Sequence, residues 1–420
     1  MSGRVSRLWR KLGATAPLFR VWNQGVVDHD DHTIKSITIN RGSSGPEGGV
    51  HPPTMTVEFT TLGYVNDERR IYVDLTPYGR YRMNQLTGAS QDAILRRFYG
   101  RIGKQTVHDE ALPNGTIRQQ TTYEAAGWEA QLPNFARQWN FTRDKRVSDL
   151  IMTLARPVAG YTEFPSWFAP APASQYGNVR EDRTETNTYS EAIGKWTTDI
   201  GLYVQTQRTG SLHILPHEYR WNRALSLMPY RVPLTRSQAV SPATWEQPSE
   251  NIPRVHEARW YSGDGAQVLR WGPPDYTDDY PVVDHDMRHV VWWNNDSQPR
   301  SAVQAFYRQN IVTHYSVPAV TFDLLMLATS PHKSHRDQAK QLLELEVGEA
   351  VYLSGDWFGQ VSGVYFAVGM DESISPDGWD ITLNLSPAHE VVGVFSPDVP
   401  AQTFESMRHP WNDAAGTWNR

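Results

Sequence analysis

The sequence predicts a mainly β protein with some helix (α+β), in which two β-rich blocks bracket a mixed α/β middle. Three observations support this prediction. Aromatic residues make up 11% of the 420 residues, and aromatic and β-branched side chains favour strands. Alternating polar and apolar runs recur towards both ends of the chain, separated by Gly- and Pro-rich turns. Long runs with helical periodicity are scarce, and at about 150 residues per domain the length suits two to four domains.

The first β-rich block is expected to span residues 33–130 as one barrel or sandwich of about a hundred residues. It starts with an alternating run at 34–39, followed by a Gly- and Pro-rich break and then by MTVEFTTLGYV. Three more β-rich runs continue the block: IYVDL, RRFYGRIG and GTIRQQTTY. Residues 1–32, which carry several Arg and Lys but no acid before Asp28, are expected to form a basic N-terminal arm and a connector.

The middle of the chain, residues 131–250, is expected to be an α+β domain. Helix-like stretches occur at VSDLIMTLA and TYSEAIGKWTTDI. The second stretch is followed by a predicted β-hairpin, GLYVQTQRTGSLHILP, whose turn at 208–210 ends in a Gly that supplies a positive φ. A Pro-rich loop precedes this hairpin, and the Pro-rich stretch 233–253 is predicted to be a linker between domains.

The second β-rich block is expected to span residues 251–393. Strands are predicted at VHEARWY, AQVLRWG and VVDHDMRHVVWW, and a strand meander runs from EAVYLSG to ITLNLSP. A helix near 334–345 lies between them, with Ser334 as its expected N-cap and Asp337 at the capping-box position. The last residues, 394–420, are expected to form a C-terminal tail.

Charge and composition exclude several classes of protein. The net charge of −6 argues against a disordered polyelectrolyte and against a general nucleic-acid binder. The chain contains no cysteine, which excludes disulfides, thiolate zinc sites, cysteine-ligated iron–sulfur clusters and a Cys nucleophile. No apolar run approaches the roughly 18 residues of a membrane span, so no stable membrane insertion is expected.

Two dense clusters of potential metal ligands stand out, His285–His289 and Asp28–His32. The first places two His four residues apart, as a metallopeptidase helix does, but Asp286 stands where that motif has Glu and the flanks favour a strand or turn. The second has hard ligands suited to a divalent cation, but a charged, solvated connector needs no ligand. The chain is therefore expected not to be an enzyme, with no catalytic residue, metal ligand or cofactor predicted, although neither cluster is excluded as an ion site.

One binding surface is predicted, in the Pro-rich loop of the middle segment. It consists of four aromatic residues: Tyr161, Phe164, Trp167 and Phe168. Exposed flat rings offer a stacking area to sugars, but large exposed apolar patches more often mark protein contacts. We therefore predict that these residues contact a neighbouring protein subunit.

Three segments, in this order, resemble those of a known family. They are ITINRGSSGPEGG with MTVEFTT, IYVDL and RFYGRIG; then EAIGKWTTDIGLYVQTQRTGSLHILP; and then LLELEVGEAVYL with GVYFAVGMDESISPDGWDITLNLSP. The first is similar to the family's opening barrel, the second to its central helix and hairpin, and the third to its closing barrel. Together they resemble the minor tail or tail-tip (baseplate) hub proteins of long-tailed bacteriophages, especially of actinobacterial hosts, over about residues 33–390.

The resemblance implies two tail-tube-like β-barrel domains on either side of the middle domain, and a homotrimer whose six barrels form a pseudo-hexameric ring. It implies a structural protein of the virion, made in the host cytoplasm and located at the tail tip. Such a hub caps the tail tube and lets phage DNA pass through its lumen without specific binding. Its implied partners are the tail tube or distal tail protein, the tape-measure protein, and downstream tip or fibre proteins. The alternative function is a tail-associated cell-wall-binding or peptidoglycan-degrading protein.

Overall fold

The structure is a computed structural model. It describes residues 17–23, 27–30, 34–42, 51–60, 70–127, 129–130, 136–143, 167–168, 178–179, 182–188, 190–192, 194–195, 202–216, 232–240, 255–262, 265–271, 281–288, 291–293, 317–354 and 363–387. Within these residues no helix is long and apolar enough to cross a membrane.

Strands outnumber helices in these residues. The strands are β1 (Phe19–Asn23), β2 (Val27–Asp30), β3 (Ile34–Gly42), β4 (Thr54–Phe59), β5 (Arg70–Leu75), β6 (Arg96–Ala111), β7 (Ile117–Ala126), β8 (Ala136–Phe141), β9 (Trp167–Phe168), β10 (Asn178–Val179), β11 (Arg183–Thr188), β12 (Leu202–Thr206), β13 (Leu212–Pro216), β14 (Leu234–Thr235), β15 (Val255–Ser262), β16 (Gly265–Trp271), β17 (Val282–Asp286), β18 (Val291–Trp293), β19 (Ala319–Asp323), β20 (Ala350–Ser354), β21 (Gly363–Ser375) and β22 (Gly378–Pro387). The α-helices are α1 (Pro77–Thr87), α2 (Leu324–Ala328) and α3 (Lys333–Glu344). The predicted mainly β fold class is confirmed.

Strands from both ends of the chain form one twelve-stranded sheet. Its order is β14-β20-β21-β3-β4-β7-β6-β5-β1-β2, with β22 paired to β21 and β19 paired to β22. β3 and β21 pair antiparallel, from Gly42 opposite Gly369 to Ile37 opposite Ile374. This pairing joins the two β-rich blocks, and side chains from both contribute to the same hydrophobic core.

The alternation seen in the sequence sets the two faces of this sheet. Ile37 and Ile39 in β3 and Val57 in β4 are completely buried, whereas Thr38 and Thr56 between them are exposed. Side chains two residues apart share a face of a strand. Fully burying each such apolar side chain stabilises the fold by about 1.5–3 kcal/mol, which fixes the register of the paired strands.

Helix α1 is absent from the sequence-based expectations. Thr76 caps it by accepting a hydrogen bond from the backbone N–H of Gly79, and Pro77 is its first residue. Gly88, with φ of 76°, ends it in the left-handed region. The interior of the helix is rich in Arg, Tyr and Asn instead of regularly spaced apolar residues, and Met83 is its main buried contact. Only the Thr-Pro start and the final Gly marked this helix in the sequence.

The predicted helix near 334–345 is confirmed as α3, but its predicted N-cap is wrong. The N-cap is His332, without a side-chain capping bond, and Ser334 lies inside the first turn. Asp337 forms an ion pair with Lys333 at 2.7 Å instead of completing a capping box. The helix starts where its apolar face meets the core, because packing contributes more to helix stability than a cap does. That buried face is formed by Ala339, Leu342 and Leu343.

The middle of the chain contributes small sheets. β8 pairs with β11, and β12 and β13 form the predicted hairpin, whose Gly210 has a φ of 82°. Short helical turns occur at 190–192 and 194–195, within the second predicted helix. The predicted helix VSDLIMTLA and the predicted C-terminal tail, 394–420, lie outside the described residues.

The described strands between residues 255 and 293, a segment predicted to open the second barrel, form a different sheet. β15 pairs with β16, β17 and β18, and β18 also pairs with β10 from the middle of the chain. This five-stranded sheet therefore combines strands from both sides of the predicted boundary near residue 250. The alternating pattern predicts which residues form a strand and which face they share, but it does not specify the partner strand.

The predicted arm and connector at residues 1–32 also needs correction. Part of this segment belongs to the large sheet, because β1 lies between β5 and β2. Leu18, Phe19 and Val21 are at most 2% exposed. Asp28–Asp30, predicted as a solvated connector, lies in β2 at the edge of the same sheet.

The predicted linker at 233–253 begins as part of the folded core. β14 pairs in parallel with β20, and Leu234 is completely buried. Ala239 forms a further bridge to Phe322. Pro233, the proline of this stretch that the structure describes, directly precedes this edge strand, where proline is tolerated because no ladder hydrogen bond is lost. Residues 241–253 lie outside the described part of the chain.

Candidate functional site

Five charged side chains meet where three parts of the chain come together. Arg41 lies on β3, Arg97 on β6, Arg208 in the β12–β13 turn, Glu346 just after α3, and Glu372 on β21. We call this group the buried ion network. Arg41, Arg97, Arg208 and Glu372 are at most 2% exposed, and charged residues are almost never buried to this degree unless they are paired.

Glu372 is the centre of the network. Its Oε1 accepts hydrogen bonds from Arg41 and Arg97, both at 2.7 Å. Its Oε2 accepts from Arg97 Nε at 2.9 Å and from the indole N–H of Trp379 at 3.3 Å. Burial alone raises the pKa of a carboxyl, but the charges of Arg97 and Arg41 outweigh it and lower the pKa of Glu372 to about 2. Glu372 is therefore an anion throughout the neutral range.

Arg97 and Arg41 connect this anion to its surroundings. Burial lowers the pKa of Arg97 to about 10, against the attraction of Glu372, so Arg97 is a cation at neutral pH. Its Nη1 also donates to the carbonyl of Leu343 at 2.9 Å. Arg41 donates to Glu346 at 3.1 Å, while its buried Nε has no hydrogen-bond partner.

Arg208 brings the middle of the chain into the network. It donates to the carbonyls of Leu343 and Leu345, the second at 2.7 Å, and forms an ion pair with Glu346. These two carbonyls lie at the C-terminal end of α3, where backbone acceptors lack partners within the helix and the helix dipole is negative. Arg208 thus acts as a cationic cap supplied by a different segment.

The hairpin turn requires glycine at position 210, for two reasons. Gly210 lies so close to β6 that an added Cβ would come within 2.1 Å of Cδ1 of Tyr99. Its φ of 82° is also a conformation that L residues rarely adopt. The turn therefore requires glycine both for its backbone conformation and for its contact with Tyr99.

The chemistry of the network is structural. Its central carboxylate is inaccessible and neutralised by two guanidinium groups, so it is not suited to accept or donate a proton during a reaction. Breaking a buried charge pair costs about 3–5 kcal/mol, because the remaining charge is left without a partner. The network is thus able to hold the two β-rich blocks and the hairpin in one relative arrangement.

The predicted ligand cluster at 285–289 is brought together only in part. His285, on β17, lies against His256 of β15, with Nε2 and Nδ1 2.8 Å apart and the rings stacked. Asp286 pairs with Arg288 at 2.7 Å, and His289 lies outside the described residues. The described residues contain no group of three or more His, Cys, Asp or Glu able to hold a metal ion.

The structure describes only the backbone at the other predicted positions. Of the Asp28–His32 cluster, residues 28–30 belong to β2, while 31 and 32 lie outside the described residues. Trp167 and Phe168 form β9, which pairs in parallel with β13. Tyr161 and Phe164 lie outside the described residues, so the role of the aromatic loop in protein contacts stays a prediction.

The buried ion network was missed by sequence reasoning, although a signal for it exists. Arg41 continues the core-facing series of Ile37 and Ile39, two residues apart. Glu372 in the same way lies two residues after Met370 on a strand whose apolar residues are buried. A charged residue that is spaced two residues from buried apolar residues of the same strand predicts a buried ion pair. The identity of the partner was not readable from this signal.

No protein-family model matches the chain, and no curated protein matches it. Solved structures do match. The tail protein from Neisseria meningitidis MC58 is 14% identical, with 89% of this chain and 97% of that chain covered and a TM-score of 0.53. The 43 kDa tail protein of prophage MuSo2 from Shewanella oneidensis is 10% identical, with 89% and 99% covered and a TM-score of 0.55. At these identities the likeness shows the fold alone, so the chain has the fold of these two tail proteins.

Proposed function

We propose that the protein is a structural component of a bacteriophage tail tip, where it forms a trimeric hub that caps the tail tube. The observation that carries this proposal is the length of the structural match. It includes 89% of this chain and at least 97% of each matched tail protein. The shared fold therefore extends over nearly the whole of those proteins, and is not confined to one small module found in many contexts.

A structural role instead of an enzymatic one also suits the charged residues in the core. Glu372 is locked between two arginines, whereas a catalytic acid or base needs a pKa near the working pH and access to substrate. The network rigidly connects segments far apart in the chain. Such rigidity is an advantage in a building block that has to keep its shape within an assembly.

The edges of the large sheet support assembly with other copies. β2 and β14 lie at its two ends, and among the described strands each pairs with a single neighbour. Unpaired strand edges tend to pair with other chains unless they are covered. In the proposed homotrimer, neighbouring copies cover them, and the tail tube or distal tail protein, the tape-measure protein and distal tip or fibre proteins bind the remaining surfaces.

The solvent-facing side of the sheet is compatible with the passage of DNA. Two cross-strand pairs neutralise charges on this side: Lys35 lies 3.3 Å from Glu58, and Lys104 lies 3.0 Å from Glu124. Thr38 and Thr56 are exposed on the same side of the sheet as Glu58. A lumen through which DNA moves must not hold phosphates by a basic surface, and paired charges among hydroxyl groups meet that requirement.

Cryo-electron microscopy of the tails of the phage that encodes this chain tests the proposal. We expect density for the chain at the tip, with threefold symmetry and a central channel. Absence of the chain from purified tails, measured by mass spectrometry, would refute the structural role. Clearing of peptidoglycan by the purified protein in an activity gel would instead favour the cell-wall-degrading alternative. The actinobacterial host stays a prediction of the sequence resemblance.

A further inference from the structure

The tip of the β12–β13 hairpin is buried although its side chains are polar. We call residues 206–211 the hairpin tip; none of its six residues has an apolar side chain. Four polar side chains of the tip are at most 9% exposed: Thr206, Gln207, Arg208 and Ser211. Turns of this composition normally face water. The hairpin tip is therefore suited to a solvated position as well as to the buried one that it occupies.

The hairpin tip satisfies its own backbone groups. The N–H of Gln207 donates to the carbonyl of Ser211 at 2.9 Å, and the N–H of Gly210 donates to the carbonyl of Gln207 at 2.8 Å. The two strands that lead to the tip pair with each other and with β9, and among the described strands neither pairs with the large sheet. Moving the tip away from the large sheet therefore breaks none of these backbone hydrogen bonds.

Arg208 supplies the polar part of the contact between the hairpin tip and the large sheet. It donates to two carbonyls at the C-terminal end of α3 and forms an ion pair with Glu346. Two of these three acceptors have a second donor. The carbonyl of Leu343 also accepts from Arg97 at 2.9 Å, and Glu346 also pairs with Arg41 at 3.1 Å. Departure of Arg208 therefore leaves these two acceptors paired, and the third is left facing the space that water then fills.

Charge balance also separates Arg208 from the rest of the buried ion network. The other four members are two guanidinium groups, Arg41 and Arg97, and two carboxylates, Glu346 and Glu372, joined by ion pairs of 2.7 to 3.1 Å. Within the network Arg208 is thus the excess cation. Burial lowers the pKa of Arg97 to about 10, and repulsion by Arg208 adds to this lowering. The two other arginines therefore oppose the docking of Arg208, and the network is neutral without it.

The apolar part of the contact is small. Gly210 lies against the ring of Tyr99 on β6, but the tip itself brings no apolar side chain to the core. Burial of apolar surface is the main favourable term in folding and association. Elements with few buried apolar contacts open at a lower free energy than the core does, and polar contacts are typical between parts of a chain that move relative to each other. The tip therefore opens more readily than the large sheet.

We propose that the hairpin tip is a latch, which detaches from the large sheet and docks again while that sheet stays folded. In the docked state it covers the C-terminal end of α3 and holds the middle of the chain against the two β-rich blocks. In the released state Arg208 is solvated and the other four charges of the network remain paired with each other. The pairing of β3 with β21 persists in both states. This device goes beyond the tail-tip role and does not rest on it.

Cysteine labelling measures the opening in the full-length protein, because the parent chain contains no cysteine. Ser211→Cys places a thiol in the tip, and Ser386→Cys is the matched control on β22; the parent side chains are 8% and 4% exposed. Each labelling rate with iodoacetamide at neutral pH is divided by the rate of the same variant unfolded in urea. We expect the normalised rate at 211 to be roughly a hundred-fold higher or more. Equal rates, or a slower rate at 211, would overturn the proposal.

The urea dependence of labelling distinguishes local release from global unfolding. Release of the tip exposes little surface, so the rate at position 211 should change by less than about two-fold at urea concentrations below the unfolding transition. The rate at position 386 should rise steeply over the same range, because this thiol is reached only when the large sheet unfolds. Parallel increases at the two positions would mean that one global unfolding exposes both thiols, which contradicts a latch.

A substitution of Gly210 tests the docked state itself. In Gly210→Ala the added Cβ would lie 2.1 Å from Cδ1 of Tyr99, so labelling of Ser211→Cys should become faster by roughly ten-fold or more. Gly115→Ala is the control, because Gly115 has a similar φ of 79° and an added Cβ there meets nothing within 4 Å. Labelling of Ser386→Cys should be similar in both backgrounds. If Gly210→Ala accelerates labelling at 386 as much as at 211, the tip is a fixed part of the fold and the proposal is wrong.

Discussion

Arg97 and Glu372 lie 275 positions apart in the chain, yet two hydrogen bonds of 2.7 and 2.9 Å join their fully buried side chains. The first residue belongs to the N-terminal block and the second to the C-terminal block. Their pairing accompanies the direct contact of β3 with β21. The two ends of the chain are therefore held together both by backbone pairing and by a buried charge pair.

Removing the central charge should destabilise the whole fold. We expect Glu372→Gln to lower the free energy of unfolding by about 3–5 kcal/mol, because Arg97 then lies buried without a counter-charge and Arg41 keeps only its ion pair with Glu346. Urea denaturation followed by tryptophan fluorescence measures this change. Glu58→Gln, which removes one partner of an exposed pair with Lys35, should change stability by about 0.5 kcal/mol or less. Equal effects of the two substitutions would contradict the role assigned to the network.

Arg208→Ala should loosen the hairpin while the large sheet stays folded. The substitution removes the hydrogen bonds to the carbonyls of Leu343 and Leu345, which costs about 1–3 kcal/mol when buried acceptors lose their donor. Hydrogen exchange with mass spectrometry is expected to show faster exchange in β12, β13 and the end of α3. Thr209→Ser, at an exposed position in the same turn, keeps the hydroxyl that accepts a hydrogen bond from the N–H of Ser211; it is the control and should leave exchange unchanged. A uniform increase over the whole chain would indicate global destabilisation instead of local release.

Glu129 should make stability decrease as the pH rises. Burial raises its pKa to about 8 from 4.5, with a small opposing effect of its own backbone N–H. Between those pH values the unfolded state loses the proton first, so the folded state is penalised by roughly 3–5 kcal/mol by the time the pH passes 8. Glu129→Gln keeps the shape without the charge and should unfold at a higher temperature than the parent at pH 8 or above. If the unfolding temperatures of the two proteins changed with pH in parallel, Glu129 would not be buried as described.

The His256–His285 pair should have the opposite pH dependence. Burial lowers the pKa of His285 below 6.5, partly offset by the nearby carboxylate of Asp284. As the pH falls below 6.5 the unfolded state binds the proton first, so stability decreases with acidification. When both facing nitrogens, now 2.8 Å apart, carry protons, they repel each other. His285→Asn should reduce this acid sensitivity in thermal unfolding between pH 7 and 5, whereas His108→Asn, at an exposed position, should preserve it.

The sequence was most informative where one strand or turn carries its own pattern. The alternating run at 34–39 and the run MTVEFTT predicted strands, and the structure has β3 and β4 there. The predicted turn at 208–210 is also present, with a positive φ at Gly210. These features depend on interactions between residues close in sequence, where the period of the side chains and the conformational freedom of glycine decide the structure.

Local patterns failed where partners are distant. They predicted a connector where β2 lies at the sheet edge, and a linker where β14 pairs with β20. They also did not connect Arg41 with Glu372, although both residues interrupt core-facing apolar series. A charged side chain in such a position indicates that a partner is needed, but many residues of opposite charge would serve equally well.

By itself, the sequence determined that this protein is mainly β and where most strands of the large sheet begin. Only the tertiary structure decided that β3 pairs with β21, that Arg208 caps a helix more than a hundred residues away, and that β6 and β7 extend beyond the ends of the described strands β4 and β5. The physical reason is that side-chain periodicity reports burial, whereas pairing between strands depends on long-range packing that minimises exposed apolar surface and unpaired charge together.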